Sequence, residues 1–179
     1  MDKQQRTIFT LPVTSVDYYF DKSLKNPLLA VSRTISMETP LQQNEDMTML
    51  FVKGGRGEIW VNAQKYEISR GFLIFLGDCH RFSIRPAPGE QIELMECRFE
   101  YALYLYIMSN PYYRFTDLCL CSVPVHALTT GETAERVQDI ADKLVAACGK
   151  AKRGAKPLFL VMRMLGILIR ESDADFDVP

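Results

Sequence analysis

The sequence predicts a mainly β domain, an antiparallel sandwich or barrel, that closes with helices at its C-terminal end. Three observations predict it. Short apolar stretches recur at close and even spacing from Leu29 to Phe99, turn residues separate them, and after residue 130 the apolar period changes from two to three and four. No helix-period segment interrupts the first stretch, which argues against alternating strands and helices around a parallel sheet.

The predicted strands are Leu29–Ile35, Met47–Val52, Glu58–Val61, Tyr66–Ile68, Phe72–Leu76, Phe82–Ile84 and Ile92–Phe99. Between them lie Pro40, Gly54-Gly55, Asn62-Ala63, Ser69-Arg70-Gly71, Gly77-Asp78 and the run from Pro86 to Gly89, residues that set or permit turn geometry. Residues 1–28 mix charge, aromatics and proline without a period and read as an N-terminal arm. Tyr101 to Met108 reads as a short helix and Ser122 to Leu128 as a further extended piece. Thr130-Gly131-Glu132-Thr133 opens a helix whose apolar stripe is Val137, Ile140, Ala141, Leu144, Val145 and Cys148, with Gly149 as its stop. Pro157 suits the first turn of a last helix, Leu158 to Arg170, which is apolar almost all round. Such a helix is expected to pack on its own domain with one side and on a second copy with the other, through Leu158, Met162, Leu165 and Ile169. An acidic tail with Asp173, Asp175 and Asp177 follows.

Composition narrows the function classes. A chain of 179 residues fits one domain and buries enough surface to need no disulfide or metal staple. The net charge of −1 disfavours a chain that binds nucleic acid across its whole surface. Five cysteines without a CxxC pair, no apolar leader at the start and no apolar run long enough for a bilayer place the expected compartment in the cytoplasm, away from membranes. Cys119 and Cys121 read as buried small hydrophobes rather than a redox pair.

The stretch from Phe51 to His80, FVKGGRGEIWVNAQKYEISRGFLIFLGDCH, holds a glycine before a strand, a tight Asn62-Ala63 turn, a second glycine at Gly71, a buried strand and a loop ending in histidine. This resembles the cupin strand–turn–strand pattern, in the version found in the N-terminal effector domains of AraC-type transcription regulators. It covers about Leu29 to Phe99. Phe72 stands where the family has aspartate after the glycine, and the loop to His80 is shorter than usual. The resemblance implies a cupin-like jelly roll over residues 29–128 with a short helix, a two-helix dimerisation segment over 129–171 and an acidic linker over 172–179. It also implies a homodimer, a small-molecule effector inside the barrel, and an arm carrying Phe9, Tyr18, Tyr19 and Phe20 that folds over the barrel mouth. The family's two helix-turn-helix units, which read DNA, are expected beyond this chain.

Metal-dependent cupins hold their ion with two or three histidines and a glutamate. This chain has two histidines, His80 and His126, and Gly57-Glu-Ile-Trp-Val-Asn stands where the first motif would supply His-x-His. No metal, no cofactor and no catalytic residue is therefore expected, and the alternative is a free-standing small cupin enzyme, an isomerase or metal-dependent oxygenase. Candidate ligand-binding residues are Arg33, Trp60, His80, Glu96 and Arg98. In the strand Gln91 to Phe99, alternation puts Ile92, Leu94, Glu96 and Arg98 on one face and Glu93, Met95, Cys97 and Phe99 on the other, so either inward face brings a charge. Arg33 is a second such charge, suited to an anionic or hydroxylated group through forked hydrogen bonds. Trp60 either stacks on a ligand or fills the core, and His80 either grips a ligand at the rim or bonds its own loop. His126 reads as structural or exposed.

Overall fold

The computed structural model describes residues 28–44, 46–100, 123–149 and 155–172. The expected arm, the segment from Tyr101 to Met108, Cys119, Cys121 and most of the acidic tail lie outside these residues.

Nine strands and two helices follow in order: β1 (Leu28–Ile35), β2 (Gln42–Gln43), β3 (Met47–Gly54), β4 (Arg56–Val61), β5 (Gln64–Ser69), β6 (Phe72–Leu76), β7 (Arg81–Pro86), β8 (Ile92–Phe99), β9 (His126–Leu128), α1 (Gly131–Cys148) and α2 (Lys156–Glu171). Every predicted strand is present, two of them with the predicted bounds and the others longer by one to three residues, and the two-residue β2 is an addition no apolar pattern announces. The strands form a five-stranded sheet in the order β1-β8-β3-β6-β9 and a four-stranded sheet in the order β2-β7-β4-β5. All pairings are antiparallel. The result is a cupin-like jelly roll with two helices after it.

Local chemistry sets the tight corners. Asn62 and Ala63, at φ 48° and 69°, make the two-residue turn between β4 and β5. Gly71 has a φ of 95°, and a Cβ there would lie 2.2 Å from the Thr129 carbonyl oxygen. Thr129 returns both its N–H, at 3.0 Å, and its hydroxyl, at 2.8 Å, to the Gly71 carbonyl. That contact fastens the end of β9 to the start of β6 just before α1 begins.

Alternation along the strands divides the interior into two cores. The side chains of Leu50, Val52, Ile74, Leu76, Ile92 and Leu94 meet Ile59, Val61, Ile68, Phe82 and Ile84 of the smaller sheet, filling the space between the sheets. The opposite face of the larger sheet, with Met47, Met49, Phe51, Leu73, Phe75, Met95, Cys97 and Phe99, is covered by α1 and α2. From α1 come Val137, Ile140, Ala141, Leu144 and Cys148, the stripe the sequence predicts. From α2 come Leu160, Val161, Met164, Leu165, Ile167 and Leu168, with Pro157 in its first turn. Among the described residues no helix is long and apolar enough to cross a membrane.

The expected dimer seam needs correction. Leu165 is 0% exposed, and Leu158 and Ile169 are partly buried against the same core, so three of the four residues pack within their own domain. Only Met162, 41% exposed, faces outward, beside Phe159 at 61%. The helix is more apolar than one buried side requires, but the surplus lies on Phe159 and Met162 rather than on the seam read from three- and four-residue steps.

Candidate functional site

β8 settles which of its faces looks into the barrel. Ile92 and Leu94 belong to the core between the sheets, while Met95, Cys97 and Phe99 belong to the core under the helices. Glu96 and Arg98 share the parity of Ile92 and Leu94 and therefore project into the barrel. In register, Glu96 stands between Val31 of β1 and Leu50 of β3, and Arg98 between Leu29 and Thr48. Arg33 lies two residues along β1 from Val31, which makes it the diagonal neighbour of Glu96.

These side chains form one polar patch in an apolar barrel. Arg33 Nη1 donates to Glu96 Oε2 at 2.5 Å, with the two side chains 13% and 2% exposed. Arg98 Nη2 donates to Asp46 Oδ2 at 2.7 Å. Asn44 Nδ2 donates to Thr48 Oγ1 at 2.8 Å. Burial pushes the Glu96 carboxyl up to about 7, against the opposing pull of the Arg98 charge. Burial and the Arg98 charge both lower Arg33 from its ordinary value. The patch lies by β1, an outer strand of its sheet, where the inward-facing Leu29 and Val31 remain half-buried. Glu96 is thus a buried carboxyl held by Arg33 Nη1, with burial raising it toward neutrality.

Three of the five candidate residues thus come together: Arg33, Glu96 and Arg98. The other two do not join them. Trp60 is corrected: it alternates with the inward-facing Ile59 and Val61 and so points away from the barrel, half-buried on the outer face of the smaller sheet, where its Nε1 donates to Glu58 at 2.9 Å. His80 is fully buried and closes its own turn. The Gly77 N–H donates to its Nδ1 at 2.8 Å, and its own N–H donates to the Gly77 carbonyl at 3.1 Å. The loop-bonding reading of His80 describes this geometry.

Sequence reasoning passed over Asp46, Thr48 and Asn44. Thr48 was legible, since alternation in Met47–Val52 puts it on the face of Leu50 and Val52. Asp46 and Asn44 sit before the strand, where no period assigns a direction. Among the described residues no group of three or more His, Cys, Asp or Glu side chains is placed to hold a metal ion.

No family model matches the chain, and no curated protein sequence does. Solved structures do. ToxT from Vibrio cholerae matches with a TM-score of 0.53 at 12% identity, over 86% of this chain and 60% of that one. The chain is similar to ToxT in fold. A ToxT structure described as bound to an unsaturated fatty acid matches with a TM-score of 0.55 at 9% identity, over 80% of this chain and 55% of that one. A cupin protein from Bacteroides fragilis also matches, with a TM-score of 0.36 at 13% identity, over 41% of this chain and 64% of its own. This chain therefore spans little more than half the length of ToxT.

Proposed function

We propose that the chain is the effector-sensing and dimerisation part of an AraC-type transcription regulator, and that it binds a small molecule rather than transforming one. The observation that carries this reading is the Arg33–Glu96 pair, set in a polar patch beside the apolar core between the sheets. A buried ion pair is a poor device for stability, because apolar residues of similar volume do as well or better. Its use is recognition. ToxT, an AraC-family regulator, supports the choice of ligand: its solved forms include one with an unsaturated fatty acid and one with a naphthalenyl butenoic acid, both carboxylic acids. Here the carboxylate of such an acid takes the place of Glu96 on the Arg33 guanidinium, and the released Glu96 holds its proton in the apolar interior. The half-buried Leu29 and Val31 beside the pair offer the apolar part of the molecule its first contacts.

Calorimetric titration with palmitoleate tests this. Wild type should bind it, and Arg33→Gln should weaken binding about tenfold or more, the loss of a charge-assisted pair. Arg33→Lys, which keeps the charge and loses the fork, should fall between. Absence of binding, or binding indifferent to both changes in folded protein, would refute the carboxylate reading.

Dimerisation is assigned to the outer side of α2. Phe159 and Met162 are exposed there, and Gly166 on the same side has open space where a side chain would stand, so a second helix can approach closely. Met162→Glu should give a monomer in sedimentation without lowering the melting temperature. A wild-type monomer at micromolar concentration would remove this interface. In this reading any contact with DNA is made through residues outside this chain.

A further inference from the structure

The polar patch of the barrel is balanced in charge. Arg33 is paired with Glu96 and Arg98 with Asp46, two cations against two carboxylates. Among the described residues, the other groups packed around Glu96 add no charge. β1 brings Leu29 and Val31 beside Arg33, and β3 brings Thr48 and Leu50. Across the core between the sheets, the smaller sheet contributes apolar side chains and one titratable group, Tyr66, which burial raises and so keeps neutral. Cys97, next in the chain, lies on the helix side, and its thiol is raised by burial first, then by Cys148 and Glu96.

An anion seated on Arg33 upsets this balance. The side chains of Arg33 and Glu96 are 13% and 2% exposed, so water does little to screen an added charge. Released from Arg33 as a carboxylate, Glu96 would be a buried anion beside the incoming one. Arg98, two residues along the same face, already holds Asp46. A buried carboxyl in that position takes a proton rather than stay ionised.

We infer that the effector enters together with a proton, which Glu96 takes up as the incoming carboxylate takes Arg33, so that the site reads the undissociated acid and answers to its concentration and to pH at once. This rests on the carboxylate reading above and adds how that site is regulated. The exchange balances. One hydrogen bond from Arg33 to Glu96 is replaced by one to the ligand, one proton moves from solvent to Glu96, and the net charge of the patch is unchanged.

The direction of the pH dependence follows. In the free barrel burial pushes Glu96 up to about 7, against the pull of Arg98. Below that value Glu96 already holds its proton and the anion binds without further uptake. Above it each binding event draws one proton from solvent, and affinity falls about tenfold per pH unit.

The test is calorimetric titration with palmitoleate at pH 6 and pH 8, each in two buffers of different ionisation enthalpy, so that the difference in heat counts the protons taken up. Wild type should take up about one proton per ligand at pH 8 and about a tenth at pH 6, with affinity about tenfold lower at pH 8. Glu96→Gln keeps the shape of the side chain and does not titrate. It should lose this uptake and bind equally well at both pH values. In wild type at pH 8, the infrared difference spectrum should gain a protonated-carboxyl band on binding that Glu96→Gln lacks. Binding by wild type at pH 8 without proton uptake, or with uptake equal to that of Glu96→Gln, would overturn the inference, while the carboxylate reading stands if Arg33→Gln still weakens binding. Failure of wild type to bind at either pH would overturn the two together.

Discussion

The two faces of the larger sheet are built to opposite specifications, and β8 carries both. On the side of the helices its residues Met95, Cys97 and Phe99 pack in an apolar core, and burial first, with Cys148 and Glu96 adding to it, pushes the Cys97 thiol well up. On the barrel side the same strand begins with Ile92 and Leu94 and ends with Glu96 and Arg98. Neither face is open to water, so solvation does not explain the charges. Packing explains the first face completely and leaves the second unexplained. The difference teaches that the helix layer exists to stabilise the sheet, whereas the barrel keeps costly groups for another purpose.

The sharpest way to break the first half of that comparison is Leu165→Arg. Leu165 is fully buried between α2 and the sheet. An unpaired charge in that place costs about 3–5 kcal/mol, before the lost packing is added. The sum approaches the whole stability of an ordinary domain. Urea denaturation followed by circular dichroism should find the variant largely unfolded. A folded, monomeric Leu165→Arg would mean that α2 leaves the sheet more freely than this packing allows.

The barrel face responds differently. Glu96→Ala removes one partner of a buried pair and leaves the Arg33 charge uncompensated, a loss of about 3 kcal/mol. The double change Arg33→Met with Glu96→Leu should restore most of that stability, because apolar replacements of a buried pair are neutral or stabilising. It should at the same time abolish binding of the acid. If the double variant is less stable than Glu96→Ala alone, the pair is structural and the contrast between the two faces disappears.

The fold was legible in the residues because each strand carries its own signal. Leu29–Ile35, Phe72–Leu76 and Ile92–Phe99 alternate or run apolar between turn residues, and the stripe from Val137 to Cys148 has a helical step. The site was half legible for a different reason. Alternation says that Glu96 shares a face with Leu94, but not which face is inside, since both faces of β8 are buried. Only the covering layers decide that. Trp60 misled because its neighbours Ile59 and Val61 are inward and an aromatic among them suggests core, whereas strict alternation already placed it outside. The dimer seam misled because α2 is apolar on every side, and periodicity cannot distinguish a face covered by the sheet from one left free.

Titration of Glu96 sharpens the comparison further. Its carboxyl is raised to about 7 in the folded barrel from an ordinary value near 4.3 in the unfolded chain. Between those values the folded state holds a proton that the unfolded state has released. Stability contributed by this group is therefore greatest below pH 4.3, falls as pH rises toward 7, and levels off above it. Glu96→Gln should remove this slope from a pH series of thermal melts over that window. A slope identical in wild type and Glu96→Gln would place the titration elsewhere.

The smallest expected effect concerns the outer face of the smaller sheet. Trp60 is half-buried there, and among the described residues its polar tie is to Glu58, which Arg85 at 3.0 Å and Lys65 at 3.4 Å also hold. Trp60→Phe removes one donor from a carboxylate that keeps two cationic partners, and it trims a surface that water already reaches. Stability should change by no more than about 0.5 kcal/mol. Affinity for palmitoleate should stay within about twofold of wild type, because in this geometry the indole touches neither wall of the barrel nor the Arg33–Glu96 pair. A tenfold loss of affinity in Trp60→Phe would show the ligand on the outer face of this sheet, and the charged interior would then need a different explanation.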